Sequence, residues 1–104
     1  MKLLVVISGF LFFAVSCSNP KPPAGENATV DGQVIFENNC VLCHGGDGAR
    51  GVGGATNLAT SVLDHPGVLN VIMNGRQGMK AYKEILLPDE IEAVTTYVES
   101  LRKK

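Results

Sequence analysis

The stretch Cys40-Val41-Leu42-Cys43-His44 decides the fold of this chain. On a helix, residues three apart share one face, so both thiols can reach the same edge of a flat ligand while the next residue points its imidazole at the centre. The pattern C-x-x-C-H is the attachment sequence of a covalently bound haem. It therefore predicts thioether bonds from Cys40 and Cys43 and an iron ligand in His44.

Two other chemistries use the same residue types. Zinc needs four well-spread ligands, and His65 is the only remaining histidine, while the adjacent Cys43 and His44 chelate one ion awkwardly. A thioredoxin-like dithiol needs strand-helix-strand surroundings, and strand patterns are hardly visible here. Covalent haem is the favoured interpretation, with zinc and a redox disulfide as the alternatives.

The length and composition of the chain fit a small domain with a cofactor. The 104 residues allow one domain, and three of the four phenylalanines lie in the first sixteen residues. A remainder of about 80 residues buries little apolar surface and commonly needs a metal or cofactor for stability. The formal net charge is −1 and no basic run is present, so nothing in the sequence indicates nucleic acid as a partner.

Residues 1–16 have the pattern of a signal peptide, with Lys2 before a thirteen-residue apolar run and small residues before a cleavage point. The next residue is Cys17, and this arrangement resembles a bacterial lipoprotein signal. An ordinary signal peptide with a spare cysteine is the alternative. We expect export to the cell envelope, with the membrane as a partner through lipidated Cys17 and the haem domain in the periplasm.

Residues 17–28 then form the lipidated N-terminus and a tether, because they include three prolines and a glycine and no large apolar residue. Residues 29–104 are the predicted haem domain. Within it, Asp31 is the expected N-cap of a first helix that continues into the C-x-x-C-H stretch. Pro66 is expected to open a short apolar helix ending at Asn74-Gly75.

The last helix is predicted to start at Pro88, after Leu87, which is a poor capping residue. One apolar face follows along it, formed by Ile91, Val94, Tyr97, Val98 and Leu101. Gly32 and Phe36 share a face of the first helix, and a glycine permits close approach. We therefore expect the two helices to cross with Tyr97 over Gly32.

Residues 45–54 contain six glycines, and three of them spell G-x-G-x-x-G. A dinucleotide site requires this motif between a strand and a helix, whereas here it follows a helix and enters a loop. The run is predicted to be a loop that lets the backbone lie close to the porphyrin. Leu58 and Val62 are candidate haem contacts after it, with ordinary core positions as the alternative.

A second axial ligand must come from elsewhere in the chain. Met79 lies in the polar, glycine-bearing stretch 74–82. A buried methionine normally belongs to a helix stripe, as Met73 does, and Met79 has no such stripe, which favours a thioether ligand role. Met73 and His65 stay open as alternatives.

These elements, in this order, resemble a small bacterial class I cytochrome c over residues 31–101. The resemblance rests on the Gly32/Phe36 pair, C-V-L-C-H-G, the glycine loop, Thr56-Asn57-Leu58, V-I-M-N-G-R-Q-G-M and Tyr97. It implies an all-α fold of three to four short helices wrapped around one covalent haem c. The family's roles fall on Cys40 and Cys43 for the thioethers and on His44 and Met79 for the iron.

Two positions depart from the family. Thr56 stands where proline is usual, and the carbonyl there accepts a hydrogen bond from the ligating histidine; threonine keeps this carbonyl, so the bond is expected. Lys80 follows Met79, where proline is frequent. The lysine in place of proline bears on how firmly the chain holds Met79 as a ligand.

Two protein ligands saturate an iron, and such a site transfers electrons. The sequence therefore predicts a membrane-tethered electron carrier, not an enzyme, whose partners are redox proteins of a respiratory or envelope chain. A haem enzyme or a gas or peroxide sensor with a labile sixth ligand is the alternative. Arg76, Lys80 and Lys83 flank Met79 and could steer an acidic partner, although a solvated loop explains them equally well.

Overall fold

The computed structural model describes residues 29–103, and the side chains of residues 29–102; the predicted signal peptide, Cys17 and the tether lie outside this part. The described chain is helical, without strands, which confirms the all-α prediction. It has four α-helices, joined by loops that contain short 3-10 turns. The helices are α1 (Gly32–Asn39), α2 (Val41–His44), α3 (His65–Asn74) and α4 (Pro88–Ser100).

The first helix begins where the sequence predicts. The Asp31 carboxylate accepts hydrogen bonds from the backbone N–H groups of Gln33, at 2.9 Å, and Val34. The predicted continuation into the cysteine stretch is wrong, because α1 ends at Asn39 and α2 starts at Val41. Asparagine is a weak helix former, and the Asn39 side chain donates to the carbonyl oxygen of Ile35.

The crossing of α1 and α4 is as predicted. A β-carbon on Gly32 would overlap the backbone carbonyl of Ala93 and approach the β-carbon of Tyr97 to 3.1 Å. The rings of Phe36 and Tyr97 pack with centroids 5.2 Å apart, tilted by 53°. Glycine is therefore required at position 32 by the backbone of the neighbouring helix.

The N-terminus of α4 is better capped than the sequence suggested. Leu87 occupies the cap position, and its N–H donates to the Glu90 carboxylate over 2.8 Å. Thr95 is fully buried, and its hydroxyl donates to the Ile91 carbonyl oxygen at 2.7 Å. The helix continues into a 3-10 turn over Leu101–Lys103.

Helix α3 starts one residue earlier than predicted. It begins at His65 with Asp64 as its N-cap, because the Asp64 carboxylate accepts from the Gly67 N–H at 3.0 Å. It ends at Asn74, as expected, with Gly75 at φ 69°. The helices meet in one apolar core that consists of Ile35, Phe36, Val68, Ile72, Tyr82, Ile91, Val94, Val98 and Leu101.

Among the described residues, no helix combines the length and the hydropathy that crossing a bilayer demands.

Candidate haem site

His44 ends α2 and is oriented by a main-chain acceptor. Its Nδ1 atom lies 3.1 Å from the carbonyl oxygen of Thr56, so the hydrogen bond expected at this threonine is present. A carbonyl oxygen only accepts, so Nδ1 is the donor in this contact and Nε2 is the ring nitrogen left to bind a metal. The glycine-rich loop carries the chain between the two residues, with the Arg50 N–H donating to the His44 carbonyl oxygen at 2.8 Å.

Cys40 directly precedes α2 and Cys43 lies within it, and no disulfide joins the two sulfurs. Cys40 packs against the core, whereas Cys43 is exposed. Burial raises the pKa of the Cys40 thiol to about 11, and the nearby Cys43 adds to the rise. Residues 29–103 contain no strands, so the strand-helix-strand surroundings that a thioredoxin-like dithiol needs are not found around this pair.

Met79 lies in the loop between α3 and α4. Its N–H donates to the Arg76 carbonyl oxygen at 2.9 Å and closes a tight turn in which Gln77 and Gly78 have positive φ angles of 46° and 88°. The Met79 side chain is half-buried and packs against the core, as does Met73 on α3.

Gly75 lets the loop pass close to the end of α3. A β-carbon at this position would overlap the carbonyl oxygen of Met79 and approach the Lys80 carbonyl carbon to 2.8 Å. The positive φ of Gly75 independently favours glycine. The course of the backbone around Met79 therefore depends on this residue.

Tyr82 belongs to the site's surroundings, and no motif in the sequence predicted its role. Its side chain is buried, and its hydroxyl donates to the carbonyl oxygen of Asn39 at 3.0 Å. Burial is the main cause that raises the pKa of the Tyr82 phenol. Tyr82 thus brings the Met79 loop beside the cysteine pair. The sequence feature that could have indicated this role is an aromatic residue three positions after the candidate ligand Met79.

His65 faces α4. Its Nε2 atom lies 2.8 Å from a Glu92 carboxylate oxygen, and its Nδ1 atom lies 2.7 Å from Glu99. An iron ligand must present a nitrogen lone pair, so this histidine would first have to leave one carboxylate.

The donor set and its surroundings suit haem c. Side chains that are partly buried and pack against the core offer apolar surface to a porphyrin; they include Cys40, Leu58, Leu69, Met73 and Met79. Of the two candidate contacts, Leu58 packs in this way and Val62 is 96% exposed. Residues 29–103 contain no cluster of three or more His, Cys, Asp or Glu side chains arranged for a metal ion, so the zinc alternative has no site there.

Comparisons with known proteins agree with this chemistry. The family described as cytochrome c oxidase, cbb3-type, subunit III matches residues 27–98. Cytochrome c6 of Rippkaea orientalis is 31% identical over 102 residues, which cover 92% of this chain and 88% of the relative. The cbb3-type cytochrome c oxidase subunit FixP of Bradyrhizobium diazoefficiens is 40% identical over 77 residues, which cover 67% of this chain but 26% of the relative.

The chain is also similar to a solved structure of a c-type cytochrome. The c-type cytochrome KustC0563 superposes with a TM-score of 0.62 and 26% identity, covering 70% of this chain and 99% of that one. The match with cytochrome c6 spans most of both chains, whereas the match with FixP concerns a minor part of a longer protein. The chain belongs to the cbb3-type subunit III family and is a small class I c-type cytochrome, a monohaem electron carrier with covalently attached haem c.

Proposed function

We propose that Cys40 and Cys43 form the thioether bonds to the haem and that His44 and Met79 are its two axial ligands. The observation that carries the proposal is the hydrogen bond from His44 Nδ1 to the Thr56 carbonyl oxygen, which leaves Nε2 for the iron. The half-buried Met79, in a loop tied beside the cysteines, supports the second ligand.

Haem held by His44 and Met79 would supply one-electron transfer with little rearrangement, because no ligand position would be left open for a substrate. The protein's part is to hold the two ligands. His44 is held through Thr56, and Met79 through the tight turn closed by its N–H and the Arg76 carbonyl oxygen. A thioether ligand stabilises the reduced state and raises the potential relative to two histidines.

Mass spectrometry of protein made with a haem-attachment system tests the attachment residues. We expect the mass to increase by one haem, and the increase to survive denaturation. Cys40→Ala and Cys43→Ala should each remove one thioether bond, while Cys17→Ser, the matched control, should retain both. Free thiols at positions 40 and 43 in the purified protein would refute the assignment.

The carrier is proposed to be exported and tethered to a membrane by lipidated Cys17, with the haem domain in the periplasm. The support is the signal pattern of residues 1–16 and the proline-rich stretch that follows Cys17. Cell fractionation together with the mass of the N-terminal peptide tests this. Cys17→Ser should move the cytochrome from the membrane to the soluble fraction; an unmodified Cys17 in the native protein would contradict tethering.

The proposed partners are redox proteins of a respiratory or envelope electron-transfer chain, since one of the relatives is a subunit of a cbb3-type oxidase. Arg76, Lys80 and Lys83 flank Met79 and are all exposed, which would suit an acidic partner. Electron-transfer rates with an acidic acceptor should then fall as the salt concentration rises. A rate independent of salt would indicate that these three side chains are solvated and do not attract the partner.

A further inference from the structure

Tyr82 connects the two halves of the haem site. It follows Met79 by three residues, and its ring is buried with 6% exposure. Its hydroxyl donates to the carbonyl oxygen of Asn39, forty-three residues away and directly before Cys40. One hydrogen bond thus joins the methionine loop to the peptide that leads into the cysteine pair.

The backbone around Tyr82 is fixed at the same time. Its N–H donates to the Ile72 carbonyl oxygen at 2.9 Å, and the next N–H, of Lys83, donates to the Met73 carbonyl oxygen at 3.2 Å. The segment after Met79 is therefore bound to the last turns of α3. The Lys80 ammonium lies over the Tyr82 ring, 5.2 Å from its centroid.

We propose that Tyr82 is a positioning residue that holds Met79 in place through its hydrogen bond to Asn39. Many cytochromes that this chain resembles have proline after the methionine, and proline restrains the backbone by itself. This chain has Lys80 there, and the restraint comes from the anchored tyrosine three residues on. The proposal rests on the proposed ligation by Met79.

Tyr82→Phe tests the hydrogen bond, because it removes the hydroxyl and keeps the ring in the core. Cyanide binds the ferric haem after the methionine has left, so its binding rate reports how often Met79 dissociates. Loss of a buried hydrogen bond should speed cyanide binding roughly tenfold. The sulfur-to-iron absorption band in the far red should also disappear at a lower guanidinium concentration.

The matched control is Tyr97→Phe in the chain's other tyrosine, which packs on Phe36 between α1 and α4. It should leave the cyanide rate unchanged. If Tyr82→Phe binds cyanide no faster than the unmutated protein does, the positioning role is overturned while the proposed function stands. If the unmutated protein lacks the far-red band, ligation by Met79 fails, and the positioning role with it.

A second measurement keeps the proposal testable should Tyr82→Phe fail to accumulate with haem. In the diamagnetic ferrous protein, a nuclear Overhauser effect should connect the Tyr82 ring to the Asn39–Cys40 peptide. Its absence from the unmutated holoprotein would overturn the proposal.

Discussion

The Nδ1 atom of His44 lies 3.1 Å from the backbone carbonyl oxygen of Thr56, twelve residues further along the chain. The acceptor is a main-chain atom, and the Thr56 side chain is exposed. The orientation of His44 therefore depends on the course of the backbone at position 56 and not on the chemistry of threonine.

Substitutions at position 56 should separate these two contributions. Thr56→Ala keeps the carbonyl and removes an exposed side chain, so the free energy of unfolding should change by less than about 0.5 kcal/mol. Thr56→Gly also keeps the carbonyl but increases the freedom of the unfolded backbone, which should cost about 1 kcal/mol. Guanidinium denaturation of the haem-loaded proteins measures both. If Thr56→Ala lost as much unfolding free energy as Thr56→Gly, the threonine side chain itself would contribute to stability.

The crossing of α1 and α4 predicts that Gly32→Ala is destabilising. The new β-carbon would overlap the Ala93 backbone, so the helices must separate, at a cost of about 1–3 kcal/mol. Gly46→Ala is the matched control, because a β-carbon there meets nothing within 4 Å. The midpoints of thermal unfolding should show a large decrease for the first variant and a small change for the second. Similar midpoints would contradict the close crossing.

The loop that carries Met79 offers a second matched pair of glycines. Gly75 and Gly78 both have positive φ, but a β-carbon overlaps neighbouring backbone only at Gly75. Gly78→Ala should therefore cost about 1 kcal/mol from the backbone conformation alone and retain Met79 ligation. Gly75→Ala should also displace the loop and weaken the far-red band of the ferric protein. A band of unchanged intensity in Gly75→Ala would show that this crossing does not position Met79.

The contact of His65 with Glu99 and Glu92 predicts a dependence of stability on pH. Mainly the hydrogen bond to Glu99, supported by Glu92, raises the pKa of His65 above its ordinary value. The folded state thus favours the charged imidazole. The resulting stabilisation is complete below the ordinary histidine pKa of about 6.5 and is lost as the pH rises through the raised pKa.

Relative to His65→Asn, the unmutated protein should be more stable at low pH, and the difference should decrease as the pH rises through this window. Guanidinium denaturation at a series of pH values measures the difference, and comparing the two proteins cancels pH effects from other groups. Glu99→Gln should reduce the dependence. A difference that stays constant with pH would refute the ion-pair account.

Local signals predicted much of the fold. The cap at Asp31, the end of α3 before Gly75 and the apolar face of α4 follow from residues close together in the chain. The crossing at Gly32 was predictable because the single glycine on a face of α1 leaves room for the bulky Tyr97 on the apolar face of α4. The break at Cys40 was not predictable from the spacing of the cysteines, because that spacing concerns residues 40–44 and not the helix before them.

Long-range pairings were not predictable. The bond from Tyr82 to Asn39 and the contacts of His65 with α4 join residues that are distant in the chain, and no spacing rule connects them. Glu92 and Glu99, seven residues apart, share a face of α4, but their partner could not be identified from the sequence. The cap formed by Glu90 could have been predicted, because Glu90 follows Leu87 by three residues, which is the spacing of a capping box.

The far-red absorption of the purified, oxidised protein tests ligation by Met79, because the band arises from a methionine sulfur bound to ferric haem. We expect the band to be present, Met79→Ala to abolish it and Met73→Ala to retain it. Absence of the band in the unmutated protein, together with rapid cyanide binding, would contradict ligation by His44 and Met79 and favour a haem with a labile sixth position.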